Sequence, residues 1–347
     1  MRVVNCGPLK DVQIDFANSK GKPRQTILLA GANGSGKTTI LELIFVMAEV
    51  INPGYPFYEQ RYGSPHYDSW EDINSRRNRA GVSLLQRAEY AQMDLQIDGK
   101  DFSIYYGEQP SDAKLAKSNY GWHRGNPGFT HEDPSSIVKR LTGTIYEQEI
   151  DPIDYLAAER SELGLSTVPS VLYLPHFRFI PPVKPEQIVR EDIGYRWTYR
   201  YEATGKPEGS LDSYLVWLDY AYPERFPQII DFMNQLDFDG KKFSIRKKEL
   251  KAVVKTRDGS EHYLEDLSSG EQSILITLLE LRLRLQPGSI VLIDEIEHSL
   301  HPAFQYRIAE GLKRIQETVP FQLIATTHAP AFLEIFEPEN TLILTEF

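Results

Sequence analysis

A strand, a glycine-rich turn and a helix in immediate succession constrain this chain more than any other feature. Thr26-Ile-Leu-Leu-Ala30 is apolar and partly β-branched, the turn Gly31-Ala-Asn33-Gly34-Ser35-Gly36-Lys37-Thr38-Thr39 follows, and Thr38 to Val50 reads as an amphipathic helix. The turn fits the pattern G-x-x-x-x-G-K-[ST], whose glycines let backbone N–H groups close around phosphate oxygens at a helix N-terminus. In that pattern Lys37 reaches the β- and γ-phosphates and the Thr38 hydroxyl ligates Mg²⁺.

Distant strings extend the same chemistry. Ile290 to Ile293 is a short apolar run that ends in the adjacent acids Asp294 and Glu295. Such a run suits a strand buried on both faces of a mostly parallel sheet. A buried strand that ends in charge makes sense beside a cation, with Asp294 on Mg²⁺ and Glu295 polarising a water. The alternative is that both acids cap the exposed end of the strand. Leu267-Ser268-Ser269-Gly270-Glu271-Gln272 opens a helical run to Gln286 and puts small residues and free amides at a helix N-terminus, where anions bind. Alone, it reads equally as an ordinary capped core helix. His328 follows the apolar run Phe321 to Ala325 and precedes Ala329-Pro330, at the carboxyl end of a strand where ligands collect in nucleotide-binding α/β sheets.

In content and order these strings resemble the ABC-class ATPases. Within that class the chain resembles the soluble branch of structural-maintenance-of-chromosomes (SMC), RecF and overcoming-lysogenisation-defect (OLD) proteins. Leu267 to Gln272 resembles the signature, Asp294-Glu295 the Walker B pair, His298-Ser-Leu-His301-Pro302 the D-loop region and Thr326-Thr327-His328-Ala-Pro330 the switch-histidine motif; the last two favour the OLD-like subgroup. The resemblance covers residues 26–50 and 264–330.

It implies an α/β fold: a P-loop ATPase head with a mixed, mainly parallel central sheet, an antiparallel β subdomain and a helical and loop insertion. ATP and Mg²⁺ are the implied cofactors, with Gly31, Asn33, Gly34, Ser35, Gly36, Lys37, Thr38 and Thr39 around the phosphates. Thr38 and Asp294 would hold the metal, and Glu295, His328 and Lys37 would be catalytic. Ser268, Ser269, Gly270 and Glu271 of one protomer would complete the site of another in a homodimer that sandwiches ATP. The implied role is control of a separate effector such as a nuclease, in anti-phage defence or DNA repair. A RecF-like DNA-binding repair ATPase and a transporter motor are the alternatives. OLD nucleases carry their nuclease domain after the ATPase; only 19 residues follow His328, so no such domain is expected in this chain.

Composition limits the remaining choices. A chain of 347 residues, 41% hydrophobic and 11% aromatic, can bury a sizeable core. The expected divisions are an N-terminal ATPase lobe over 1–106, an insertion and helical subdomain over 107–240 and a C-terminal lobe over 241–347. Cys6 is the only cysteine, which excludes an intramolecular disulfide and agrees with a reducing, cytoplasmic location. No apolar stretch approaches a membrane span, and the N-terminus has no signal-like core.

The net charge of −11 argues against indiscriminate coating of DNA. Residues 241–257 depart from it, with eight lysines and arginines against the single acid Glu249. This run and the segment Arg196-Trp197-Thr-Tyr199-Arg200-Tyr201 are candidate contact surfaces for nucleic acid or protein. Their alternatives are a solvated strand face and a small insertion core. Elsewhere Asp98-Gly99 and Asp258-Gly259 predict hairpin turns. Residues 107–136 read as a long surface loop, helices are expected near 151–163 and 210–236, and Thr341 to Thr345 should complete the sheet. Sustained heptads are absent, so long coiled-coil arms are not expected. The glutamine that couples Mg²⁺ to lobe rotation in ABC proteins has no assigned residue, the junction from Tyr173 to Arg178 being the place to look.

Overall fold

The structure, a computed structural model, describes residues 1–50, 84–97, 100–122, 169–191, 197–224, 226–235, 240–336 and 341–344. Apolar runs scattered through the sequence become neighbours in one sheet. Strands β3 (Thr26–Gly31), β7 (Val171–Leu174), β8 (Thr198–Arg200), β12 (Ile290–Ile293), β13 (Gln322–Thr326) and β14 (Thr341–Leu344) lie in the order β14-β3-β13-β12-β7-β8. Every pairing among them is parallel, and the antiparallel ladders of the described residues lie in two other sheets.

Successive side chains of a strand point to opposite faces, so an unbroken apolar run is needed where both faces are covered. Val291 and Ile293 enter one core with Leu172, Leu174, Leu323 and Ala325. Leu292 enters the other with Val171, Tyr173, Leu29 and Ile324. The first core is closed by helices α2 (Leu211–Ala221), α3 (Phe226–Gln235), α4 (Ser269–Arg284) and α5 (Pro302–Thr318), and by a three-stranded antiparallel sheet. That sheet comprises β9 (Lys242–Arg246), β10 (Lys251–Lys255) and β11 (Glu261–Tyr263) in the order β11-β10-β9. The expected turn at Asp258-Gly259 joins its last two strands.

Helix α1 (Lys37–Val50) fills the second core, between the central sheet and a five-stranded sheet ordered β2-β1-β4-β5-β6. The components are β1 (Arg2–Cys6), β2 (Leu9–Gln13), β4 (Tyr90–Ile97), β5 (Lys100–Gly107) and β6 (Ser118–Trp122). The amphipathic pattern expected of α1 gives way to a helix packed on most sides: its run from Leu43 to Ala48 is buried without interruption, while Thr38, Thr39, Glu42 and Glu49 keep some exposure. Strands β4 and β5 form the expected hairpin, with Ile97 opposite Lys100; the turn residues Asp98 and Gly99 lie outside the described residues.

Three expectations change or fall away. Residues 118–122, read as part of a loop, form β6 and pair parallel to β5. An edge strand needs little apolar surface, and Ser-Asn-Tyr-Gly-Trp shows no strand pattern. The helical region near 210–236 is broken at Tyr222-Pro223 into α2 and α3, and the helix expected near 151–163 lies outside the described residues.

The third is the aromatic and basic segment, which is sheet and core rather than a docking face. Trp197 is buried and its Nε1–H donates to the Ala48 carbonyl at 2.9 Å. The Tyr199 hydroxyl donates to Glu280 at 3.1 Å, and Arg200 pairs with Glu42 while lying 4.7 Å from the Tyr173 ring centre. Buried rings with bonded polar ends are what interior tyrosine and tryptophan require. Arg196 lies outside the described residues. No described helix is long and apolar enough to cross a membrane.

Candidate functional site

The glycine-rich turn stands where β3 ends and α1 begins. Gly36 has φ +93°, and a Cβ there would lie 2.5 Å from Leu9 Cδ2, so glycine is required by backbone and by packing. Asn33 and Gly34 are exposed at the crest, and Ser35 is buried with an Oγ that has no hydrogen-bond partner among the described residues. Lys37 folds back to donate to the carbonyls of Gly31 and Ala32, both at 2.9 Å. Burial lowers the pKa of this ammonium, while the carboxylates of Asp294, Glu295 and Glu297 oppose the shift.

Parallel pairing brings the ends of β3, β13 and β12 to the same edge. The Thr38 hydroxyl lies 3.0 and 3.1 Å from the two carboxylate oxygens of Asp294, which is almost wholly buried. Thr326 Oγ1 donates to Asp294 Oδ1 at 2.7 Å and accepts from the Glu295 amide at 2.6 Å. Glu295 itself has φ +45°, an uncommon conformation for a non-glycine residue. Its Oε2 lies 3.1 Å from His298 Nδ1. His328, at the end of β13, is exposed; its amide donates to Glu297, and Thr327 is buried behind it.

These residues fit a Mg²⁺-nucleotide. The loop has an orphan hydroxyl in Ser35 and a lysine whose bonded partners are its own carbonyls; Thr38 and Asp294 meet as an oxygen pair. Among the described residues no group of three or more His, Cys, Asp or Glu side chains could hold a metal alone. That is the usual condition for Mg²⁺, which takes one or two protein ligands and completes its shell with phosphates and water.

The signature string opens helix α4. Ser268 Oγ accepts from the Glu271 amide, and the Glu271 carboxylate returns to the Ser268 amide at 3.1 Å, a capping box on α4. Glu271 also pairs with Lys241: burial opposes its ionisation, but Lys241 and Ser268 outweigh burial and hold its pKa below the ordinary value. Its role in this structure is therefore to cap. Ser268 and Ser269 are exposed, and no hydrogen bond or ion pair joins residues 268–271 to 31–39 among the described residues. Gly270 packs against the turn after Glu295, where a Cβ would come 2.8 Å from the Ser299 carbonyl.

Two residues of the junction from Tyr173 to Arg178, to which the sequence reading gave no role, lie at the same edge. His176 Nδ1 lies 3.4 Å from Asp294 Oδ2, and Arg178 is buried against the carbonyls of Asp294 and Glu295. Burial pulls the Arg178 guanidinium down to about 10, which still leaves it charged at neutral pH. Their signal was positional: Leu174-Pro175-His176 ends a strand beside β12, as Asp294 ends β12. The basic run 241–257 loses much of its charge to neighbours. Lys241 pairs with Glu271, Arg246 with Glu249 and Glu261, Lys247 with Asp219, and buried Lys251 with Asp212 and Glu265.

Comparisons with known proteins agree with the geometry. Residues 1–48 match the family described as "AAA domain", and residues 218–334 the family described as "AAA domain, putative AbiEii toxin, Type IV TA system". Two stretches of the chain are thus similar to AAA-type domains. Among curated relatives, "Septu protein PtuA" of Bacillus mycoides is 33% identical over 132 residues, 33% of this chain and 18% of that protein. "Retron Ec83 probable ATPase" of Escherichia coli is 35% identical over 89 residues, 22% of this chain and 16% of that protein. The chain thus spans under a third of the length of these relatives. A solved "SMC head domain from Thermotoga maritima" is 13% identical, with a TM-score of 0.40 over 97% of this chain and 90% of that one.

Proposed function

We propose that this chain binds and hydrolyses ATP with Mg²⁺. The observation that carries the reading is the meeting of Thr38 with Asp294, 256 positions apart, at the mouth of the phosphate loop, with Glu295 next in sequence. Gly31, Asn33, Gly34, Ser35, Gly36 and Thr39 offer backbone and hydroxyl groups to phosphate oxygens, and Lys37 exchanges its carbonyl partners for them. When bound, Mg²⁺ supplies charge neutralisation across the phosphates, held by Thr38 and Asp294. Glu295 orients the attacking water, and His328 stands at the neighbouring strand end to contact the transferred group. The exposed Ser268 and Ser269, which make no bond to their own loop among the described residues, support a head-to-tail homodimer in which the signature of one copy, with Gly270 at the helix start, completes the site of the other.

The OLD-like resemblance extends this to a switch that controls a separate effector, a nuclease first of all, in anti-phage defence or DNA repair. The measurement is ATP turnover with light scattering. Glu295→Gln should keep ATP binding, lower turnover by about 10³-fold and accumulate dimer. A Glu295→Gln protein with the parental rate would remove Glu295 from this role.

A further inference from the structure

We propose that Arg178 is a positioning residue that transmits the seating of the signature helix α4 to Glu295. The proposal rests on the assignment of Glu295 to water orientation. Arg178 is buried, yet among the described residues its guanidinium forms no ion pair. It donates instead to backbone carbonyls and one hydroxyl. Nη1 reaches Pro175 O and Asp294 O, both at 2.7 Å, Nη2 reaches Glu295 O at 2.8 Å, and Nε reaches Ser273 Oγ at 3.0 Å.

Two of those acceptors explain the conformation of the candidate base. The carbonyls of Asp294 and Glu295 belong to the peptide planes on either side of the Glu295 Cα. A rigid, planar cation that grips both planes constrains φ and ψ together and, with Thr326 Oγ1 on the Glu295 amide, holds the residue at φ +45°. Neither a lysine ammonium nor a neutral amide has that fork.

The remaining donor faces α4. Ser273 is in the second turn of that helix, directly after the signature string, and two residues beyond Arg178 the Ile180 amide donates to Gln272 Oε1 at 2.8 Å. Gln272 Nε2 in turn holds the carbonyls of Glu265 and Leu267. The stretch 178–180 is thus bonded to the first turns of α4 on one side and to the Glu295 turn on the other. A shift of α4 moves Ser273, then Arg178, then both carbonyls that set the carboxylate. Misplacement of a reacting group by about 1 Å costs on the order of 100-fold in rate, so a link of this kind lets the signature helix govern hydrolysis without touching nucleotide in its own chain.

Full-length variants test this by single-turnover hydrolysis beside ATP affinity. Ser273→Ala cuts the bond of Arg178 to α4 while leaving that of Ile180 to Gln272, and should lower kcat by about 10-fold with ATP affinity unchanged. Arg178→Lys should lower kcat by about 100-fold with ATP affinity unchanged, and added guanidinium should restore part of the rate to Arg178→Ala. If the Arg178 variants fail to fold, Ser273→Ala decides alone. Parental kcat in Ser273→Ala, or a rate loss matched by an equal loss of ATP affinity, overturns the proposal. Glu295→Gln run in parallel separates the two readings. Parental turnover there removes the role of Glu295, whereas an inactive Glu295→Gln beside a fully active Ser273→Ala removes only that of Arg178.

Discussion

The two ends of the motif set are wired in opposite ways. At the phosphate-loop end, Thr38, Asp294 and Thr326 come from distant parts of the sequence and bond one another inside the protein. At the signature end, Ser268 and Glu271 bond within a single helical turn, and the serines that follow Leu267 face outward. The first is assembled by the tertiary fold; the second is capped locally, with Lys241 also on Glu271 and its two serines left exposed. A locally capped end can be presented to another surface without disturbing the core, and a tertiary one cannot.

The strongest way to break that contrast is to damage each end and measure binding and turnover separately. Lys37→Ala should abolish measurable ATP binding and turnover together, whereas Ser268→Arg should abolish turnover and leave binding intact, both read by titration with a fluorescent nucleotide. Mixed protomers of the two should regain turnover; heterodimers that stay inactive would show that the signature acts within its own chain.

A smaller effect tests the tertiary end alone. Trp197 buries its ring against α1 and bonds the Ala48 carbonyl, so Trp197→Ala should lose about 3–5 kcal/mol in urea unfolding. A loss below about 1 kcal/mol would mean that the segment does not anchor the helix. The smallest effect belongs to the local end: Ser268→Ala removes a helix cap and should cost about 1 kcal/mol of stability in the same measurement.

Legibility in the sequence followed the same division. The phosphate loop, the strands ending at Asp294 and His328, and α4 with its cap were readable because period, turn chemistry and charge all lie within a few consecutive residues. Arg178 was not, since its meaning depends on carbonyls more than a hundred positions away. Trp197 and Arg200 misled for the related reason that an arginine and aromatic cluster has the same composition whether it faces a partner or, as here, closes a core through Glu42 and Ala48. Lys251 looked like part of a basic surface, yet Asp212 and Glu265 enclose it from elements the linear pattern could not place. Strand β6 was missed because an edge position demands almost nothing of its side chains.

The left-handed backbone at Glu295 sets stability against activity at one position. A non-glycine residue in that region costs on the order of 1 kcal/mol. Glycine there would relax the turn and remove the carboxylate in the same step. Selection for a more stable fold alone would therefore favour losing the acid. A Glu295→Gly protein that unfolds at higher urea than its parent, while turning over no ATP, would show that this glutamate is maintained by the chemistry it performs and not by the architecture it occupies.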